Sequence, residues 1–203
     1  MRLITKAVFI ILLLMGTRPL CAQDEDSLLN SAAVSLDAGD YQLALDDMNL
    51  FISENPDVAD AYLLRGQAYS HLKDIHAAIL DYEYALELSP GLERAIYLKA
   101  LALYAIEDYQ NAIKLLQSSD NYAETDKCIF LLGESFYAIS DFDSAISFFK
   151  RLISINENYP GVYLSLGYSY SKAGKHDQAC YYWKKSVEKG NESAKQILKK
   201  HCQ

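Results

Sequence analysis

The chain has 203 residues, of which 27 are acidic and 19 basic, for a formal net charge of −8. That balance argues against phosphate-backbone binding, which depends on clustered Lys and Arg, so nucleic acid is not expected as a partner. Hydrophobic residues make up 51% of the chain and 16 residues are Tyr, enough to bury a core, with no low-complexity tract.

Residues 1–22 stand apart. Arg2 and Lys6 make a basic start, residues 7–15 are apolar, and residues 16–22 are small or turn-prone. This is the layout of a secretory signal peptide, with cleavage expected after Ala22. An uncleaved anchor is the weaker reading, because the apolar run of about nine residues falls well short of the ~20 that span a bilayer. Lipid attachment at Cys21 is disfavoured by the Pro19-Leu20 that precedes it. Removing the segment takes away Arg2, Lys6 and Arg18 and no acid, which moves the net charge from −8 to −11. The expectation is an exported chain with no membrane insertion after cleavage.

The clearest unit in the remainder is residues 59–92. Tyr62, Gly66, Tyr69 and Leu72 recur at helical spacing, and Ala78, Ile79, Tyr82, Ala85 and Leu86 form a second helical stripe. Lys73-Asp74 turns the chain between them, with Asp74 as N-cap of the second helix. Pro90 ends that helix, since it cannot continue it. Gly66 and Ala78 allow close approach, and Tyr82 fills the space beside them. One such hairpin cannot bury both faces alone, so copies must stack.

Copies are present. Ala44, Ala78, Ala112, Ala145 and Ala179 are equivalent, and they mark five units near 25–58, 59–92, 93–125, 126–159 and 160–193. The small position reads Ala32, Gly66, Ala100, Gly133, Gly167, and the large one Met48, Tyr82, Leu116, Phe149, Trp183. The turn cap reads Asp40, Asp74, Asp108, Asp141, Lys175. In these aligned positions the chain resembles the tetratricopeptide repeat (TPR) family over nearly all of residues 23–203. The resemblance implies an all-α fold, a right-handed superhelical solenoid of antiparallel helix pairs.

The units differ at their ends. Ser31, Ala32 and Ser35 make the first unit small, as suits a terminal repeat. The second helix of the third unit decays into Ser118, Ser119, Asp120 and Asn121 without a closing proline, which predicts the loosest connection around 118–125. After Gly190-Asn191, residues 192–201 read as a capping helix, with Ala194, Ile197 and Leu198 on one face and Lys195, Gln196, Lys199 and Lys200 on the other.

Three cysteines lie beyond residue 22. Cys180 takes the place of Leu or Ile in the other units and faces the cap, and the turn at Gly190-Asn191 brings residue 180 opposite residue 202. A Cys180–Cys202 disulfide follows as one reading, worth roughly 3 kcal/mol in the chain-entropy model. Two free thiols are the other. Cys128 reads as a small core residue. A zinc site at Cys180, His201 and Cys202 lacks a fourth ligand. The stretch from Ala179 to Cys202 resembles the ending of small exported bacterial TPR proteins, which implies a periplasmic or outer-envelope location.

No catalytic signature is present. Gly174-Lys175-His176 lacks both the loop and the hydroxyl of a phosphate-binding motif, and no H-E-x-x-H occurs. No enzyme, cofactor or metal is expected. The family resemblance implies instead a concave groove lined by the first helices. Carried over position by position, it comprises Leu63 and Gln67 in the second unit, and Arg94, Tyr97, Leu101 and Tyr104 in the third. The fourth unit gives Lys127, Phe130, Glu134 and Tyr137, and the fifth Leu164 and Tyr168. Leu63, Gln67, Tyr97 and Leu101 depart from the Lys, Asn and Arg of the TPR subclass that grips chaperone tails. The resemblance thus implies a protein partner, held as a peptide or helix by a scaffold or accessory subunit of a bacterial envelope assembly. The alternative is an accessory factor to a carbohydrate- or peptidoglycan-processing enzyme.

Overall fold

The computed structural model describes residues 20–118 and 125–202. The expected signal segment lies outside them up to residue 19, as does the expected loose connection at 119–124. The described residues form eleven α-helices and no strand. They pair in sequence order as α1 (Leu20–Ala38) with α2 (Tyr41–Glu54), α3 (Ala59–His71) with α4 (Ile75–Leu88), and α5 (Glu93–Ala105) with α6 (Tyr109–Ser118). Then follow α7 (Asp126–Ala138) with α8 (Phe142–Ile155), α9 (Val162–Lys172) with α10 (His176–Glu188), and α11 (Ser193–His201) alone at the end. Each pair packs on the next, and first helix also touches first helix from α1 through α9. The result is the right-handed solenoid of antiparallel pairs.

One turn closes all five pairs. Gly39, Lys73, Glu107, Ser140 and Gly174 all take positive φ, between 65° and 85°. Such a residue lets the next amide reach back over the helix end. Asp74 N–H donates to Tyr69 O at 2.9 Å, and Asp108, Asp141 and Lys175 repeat this bond onto Leu103, Phe136 and Tyr170 at the same distance. The aspartates then serve the following helix. Asp74 accepts from Ala77 N–H and Asp141 from Ser144 N–H, each at 3.1 Å. Lys175 has no acceptor to offer and extends its ammonium to Asp143 at 2.9 Å.

The small and large positions meet inside each pair. A Cβ added at Gly66 would lie 2.6 Å from Tyr82 Cε1, and one at Gly133 would lie 2.8 Å from Phe149 Cδ1. Gly167 stands in the same way against Trp183. Where the small residue is Ala32 or Ala100, the large one is Met48 or Leu116, and all four are buried.

Another register changes character along the stack. Ser31 donates to Asp47 Oδ2 at 2.9 Å, and Arg65 grips Asp81 through Nε at 2.8 Å and Nη2 at 2.7 Å. Lys99, the equivalent residue in the third pair, bonds Glu83 at 3.1 Å. In the last two pairs the same position is Leu132 and Leu166, both fully buried. The stack is polar along this line at its N-terminal end and dry at its C-terminal end.

Cys180 on α10 and Cys202 beyond α11 are bonded, with their Cα atoms 5.6 Å apart, while Cys128 is buried and free. Burial of Ala194 and the approach of His201 to Trp183 complete the docking of α11. The unreduced protein is expected to be lighter by two hydrogens than the reduced one by intact mass. Reduction should speed amide exchange in α11 while leaving α3 and α4 unchanged. Equal masses would remove the bridge.

Candidate functional site: the concave face

The first helices α3, α5, α7 and α9 carry the residues expected to line the groove. Their stacking brings most of these side chains into one connected surface. Gln67 Oε1 accepts from Arg94 Nη2 at 2.7 Å, and Gln67 Nε2 donates to the Leu63 carbonyl at 3.2 Å, so α3 is tied to α5. The Lys127 ammonium sits 5.8 Å from the centre of the Tyr97 ring, a cation–π contact that ties α7 to α5. Phe130 lies between Phe149 at 5.6 Å and Tyr159 at 5.1 Å between ring centres. Tyr104 meets Tyr109 edge-on at 5.1 Å, and Tyr137 meets Phe142 at 5.5 Å. Each of these two tyrosines therefore leans on the first residue of its own second helix.

Exposure sorts the set. Leu63 is 4% exposed and belongs to the core with Tyr62, Tyr82, Ala95 and Ala102. It supports the floor from beneath. Tyr97, Phe130, Tyr137 and Leu164 are half-buried, whereas Leu101 and Tyr168 stay 40% and 38% exposed. Tyr168 rests edge-on against Trp183 at 5.6 Å. Burial pushes the phenols of Tyr97, Tyr104 and Tyr137 above the ordinary tyrosine value, so all three remain neutral donors at physiological pH.

Glu134 lies within this aromatic surface. Burial raises its carboxyl above the usual carboxylate range, and the Ser165 hydroxyl on α9 opposes that by favouring the charged form. The same carboxylate adds to the rise that burial imposes on the phenols of Tyr104 and Tyr137. Ser165 was not read from the sequence, because its unit position lies outside the set the family pattern assigns to the groove. Tyr159, against Phe130, was missed for a similar reason, since it sits in the loop before α9.

A separate cleft of about 450 Å3 opens on the second-helix side, lined by Ile79, Glu83, Lys99, Leu103 and Leu115 and crossed by the Glu83–Lys99 ion pair. Among the described residues no group of three or more His, Cys, Asp or Glu is placed to hold a metal ion. No described helix is long and apolar enough to cross a membrane.

Comparison with known proteins agrees with this architecture. Residues 31–93 and 162–189 match two tetratricopeptide-repeat family models, and residues 71–152 match the model for anaphase-promoting complex, cyclosome, subunit 3. A protein SGT1 homolog from Oryza sativa subsp. japonica is 30% identical over 105 residues, 52% of this chain and 28% of that protein, so the chain spans under a third of that relative. Among solved structures, MamA is 25% identical at a TM-score of 0.72, covering 81% of this chain and 96% of its own. PilF of Pseudomonas aeruginosa is 19% identical at 0.75, covering 87% and 81%. YrrB, described as a TPR protein with an unusual peptide-binding site, is 18% identical at 0.74, covering 85% and 90%. With five helix pairs in one repeating geometry and these matches along their length, the chain belongs to the tetratricopeptide-repeat family.

Proposed function

We propose that this chain is a non-catalytic scaffold or accessory subunit of a bacterial envelope assembly, and that it holds a peptide or helix of its protein partner in the concave groove. The observation that carries this reading is the run of Tyr97, Leu101, Tyr104, Phe130, Tyr137 and Tyr168 across three successive first helices. Half-buried aromatic side chains braced from behind lose little freedom on binding, and such anchors dominate interface energetics. A groove of that kind suits an amphipathic helix or an extended segment. The envelope assignment is supported by the basic and apolar N-terminal segment and by the Cys180–Cys202 bond, since structural disulfides persist in oxidising compartments.

The test compares two double variants in copurification from the native envelope. Leu101→Ser/Tyr168→Ser removes the exposed part of the groove, whereas Leu80→Ser/Tyr84→Ser removes apolar groups that are 62% and 55% exposed on α4. Both sites are open enough that each variant should melt close to wild type. The partner is expected to be lost from the groove variant and kept by the α4 variant. The reverse pattern would move the interface to the second helices and overturn the groove reading.

A further inference from the structure

We infer that the second-helix side of the stack carries a second docking site, a pocket over Tyr69 that takes an aromatic side chain flanked by Lys or Arg on a partner polypeptide. The pocket opens between α2 and α4 with a volume of about 420 Å3. Tyr62, Arg65 and Tyr69 line it from α3, and Leu80, Asp81 and Tyr84 from α4. None of these residues belongs to the concave groove, so the two sites are independent.

The chain itself shows what fits there. In the fourth pair Phe136 of α7 and Phe148 of α8 stack at 5.3 Å with their planes 10° apart. In the fifth, Tyr170 of α9 and Tyr182 of α10 stack at 5.2 Å and 3°. The equivalent residues of the second pair are Tyr69 and Asp81. Asp81 has no ring to offer, and Arg65 holds its two oxygens at 2.8 and 2.7 Å. Among the described residues no ring stacks on Tyr69, which lines the pocket instead. An aromatic side chain from outside would take the place that Phe148 and Tyr182 take within their own pairs. The first and third pairs have Ser35 with Asp47 and Leu103 with Leu115 at these positions, so the vacant ring face is particular to the second.

The rim favours the same occupant. Leu80 and Tyr84 are exposed, and Tyr84 stacks on Tyr62 at 5.3 Å, which braces an apolar wall beside Tyr69. Together α2 and α4 carry Asp46, Asp47, Glu54, Asp81, Glu83 and Glu87 and no Lys or Arg. Lys99 meets Glu83 from α5, and Arg65 is committed to Asp81 and Asn49. The two walls are therefore net acidic, which favours a basic residue beside the incoming ring and opposes an acidic one.

The discriminating variant closes the pocket with a ring of the chain's own. Arg65→Leu/Asp81→Phe rebuilds the Leu132 and Phe148 arrangement of the fourth pair beside Tyr69. Tyr69→Leu removes the ring face and keeps the apolar bulk that Leu103 supplies in the third pair. Both are first checked for helical circular dichroism and melting, and Tyr69→Leu takes over should the double variant fail to fold. A library of random 12-residue peptides is panned on wild type, with counter-selection on the plugged variant. The retained peptides are expected to share one Phe, Tyr or Trp next to Lys or Arg. By fluorescence anisotropy the best of them should bind the plugged variant and Tyr69→Leu at least about tenfold more weakly than wild type. It should bind Leu101→Ser/Tyr168→Ser as wild type does. Changing its aromatic residue to Leu should cost wild type the same factor and cost Tyr69→Leu little. Retained peptides without an aromatic residue, or none retained, would overturn the proposal. So would peptides lost from Leu101→Ser/Tyr168→Ser alone, which would belong to the concave groove. A wild-type dimer in sedimentation velocity that the plugged variant abolishes would make a second copy the occupant and overturn the separate partner.

Discussion

Arg65→Met is expected to lower the free energy of unfolding by about 3 kcal/mol, the scale of an isolated charge left in a protein interior. The carboxylate at stake is Asp81, whose side chain is only 7% exposed and whose two oxygens both accept from Arg65. The guanidinium also donates to Asn49 Oδ1 at 3.0 Å and lies 5.4 Å from the Tyr62 ring, so it joins α2, α3 and α4. Methionine replaces the stem and leaves the carboxylate behind. Because Arg65 itself is 20% exposed, water reaches part of the pair, which sets the loss at the lower end of the buried range. The chain supplies its own control. Leu132 and Phe148 occupy these two positions in the fourth pair, and both pack in the core there. Arg65→Leu/Asp81→Phe should accordingly recover most of the loss, since an apolar pair of similar volume has no charge to strand. Urea unfolding of the three proteins decides it. A loss below about 1 kcal/mol in the single variant would mean that the pair behaves as a surface ion pair.

That ion pair also marks where reading the sequence stops. The repeat and its five copies were legible because Ala44, Ala78, Ala112, Ala145 and Ala179 hold one spacing. The turns were legible because aspartate recurs at their ends. Arg65 carried no signal, since one charged residue on a helix gives no sign of which neighbour it meets. Its role appears only once α3 and α4 cross and set it against Asp81. Leu63 shows the same limit from the other side. The family pattern places it in the groove, but Ala95 and Ala102 make α5 narrow enough to close over it, and it becomes core. The remaining groove positions depend on exact side-chain direction as well. Tyr104 and Tyr137 are held by aromatic residues at the start of α6 and α8, and Phe130 by Tyr159 in the loop before α9. Helical periodicity alone registers none of these.

The pairing of small and large residues gives the second large effect. Glycine inside a helix is normally a weakness, and Gly→Ala at an ordinary site stabilises by about 1 kcal/mol. Gly133 should do the opposite. Its added methyl would lie 2.8 Å from both Cδ1 and Cζ of Phe149, well inside contact distance. Phe149 is fully buried and braced by Phe130, so its ring has nowhere to swing. Overpacking of this kind costs about 3 kcal/mol, which exceeds the helix gain and leaves Gly133→Ala destabilised by about 2 kcal/mol. The five pairs indicate the remedy. Glycine always faces an aromatic ring (Tyr82, Phe149 or Trp183), and alanine always faces Met48 or Leu116. Phe149→Leu should therefore rescue Gly133→Ala, because the double variant rebuilds the Ala100 and Leu116 arrangement one unit along. In a thermodynamic cycle the two substitutions should be strongly non-additive, with the double variant melting above the Gly133→Ala single. If Gly133→Ala instead melts above wild type, the ring has found room to move. The small position would then be serving backbone packing between helices rather than the seat of the aromatic side chain.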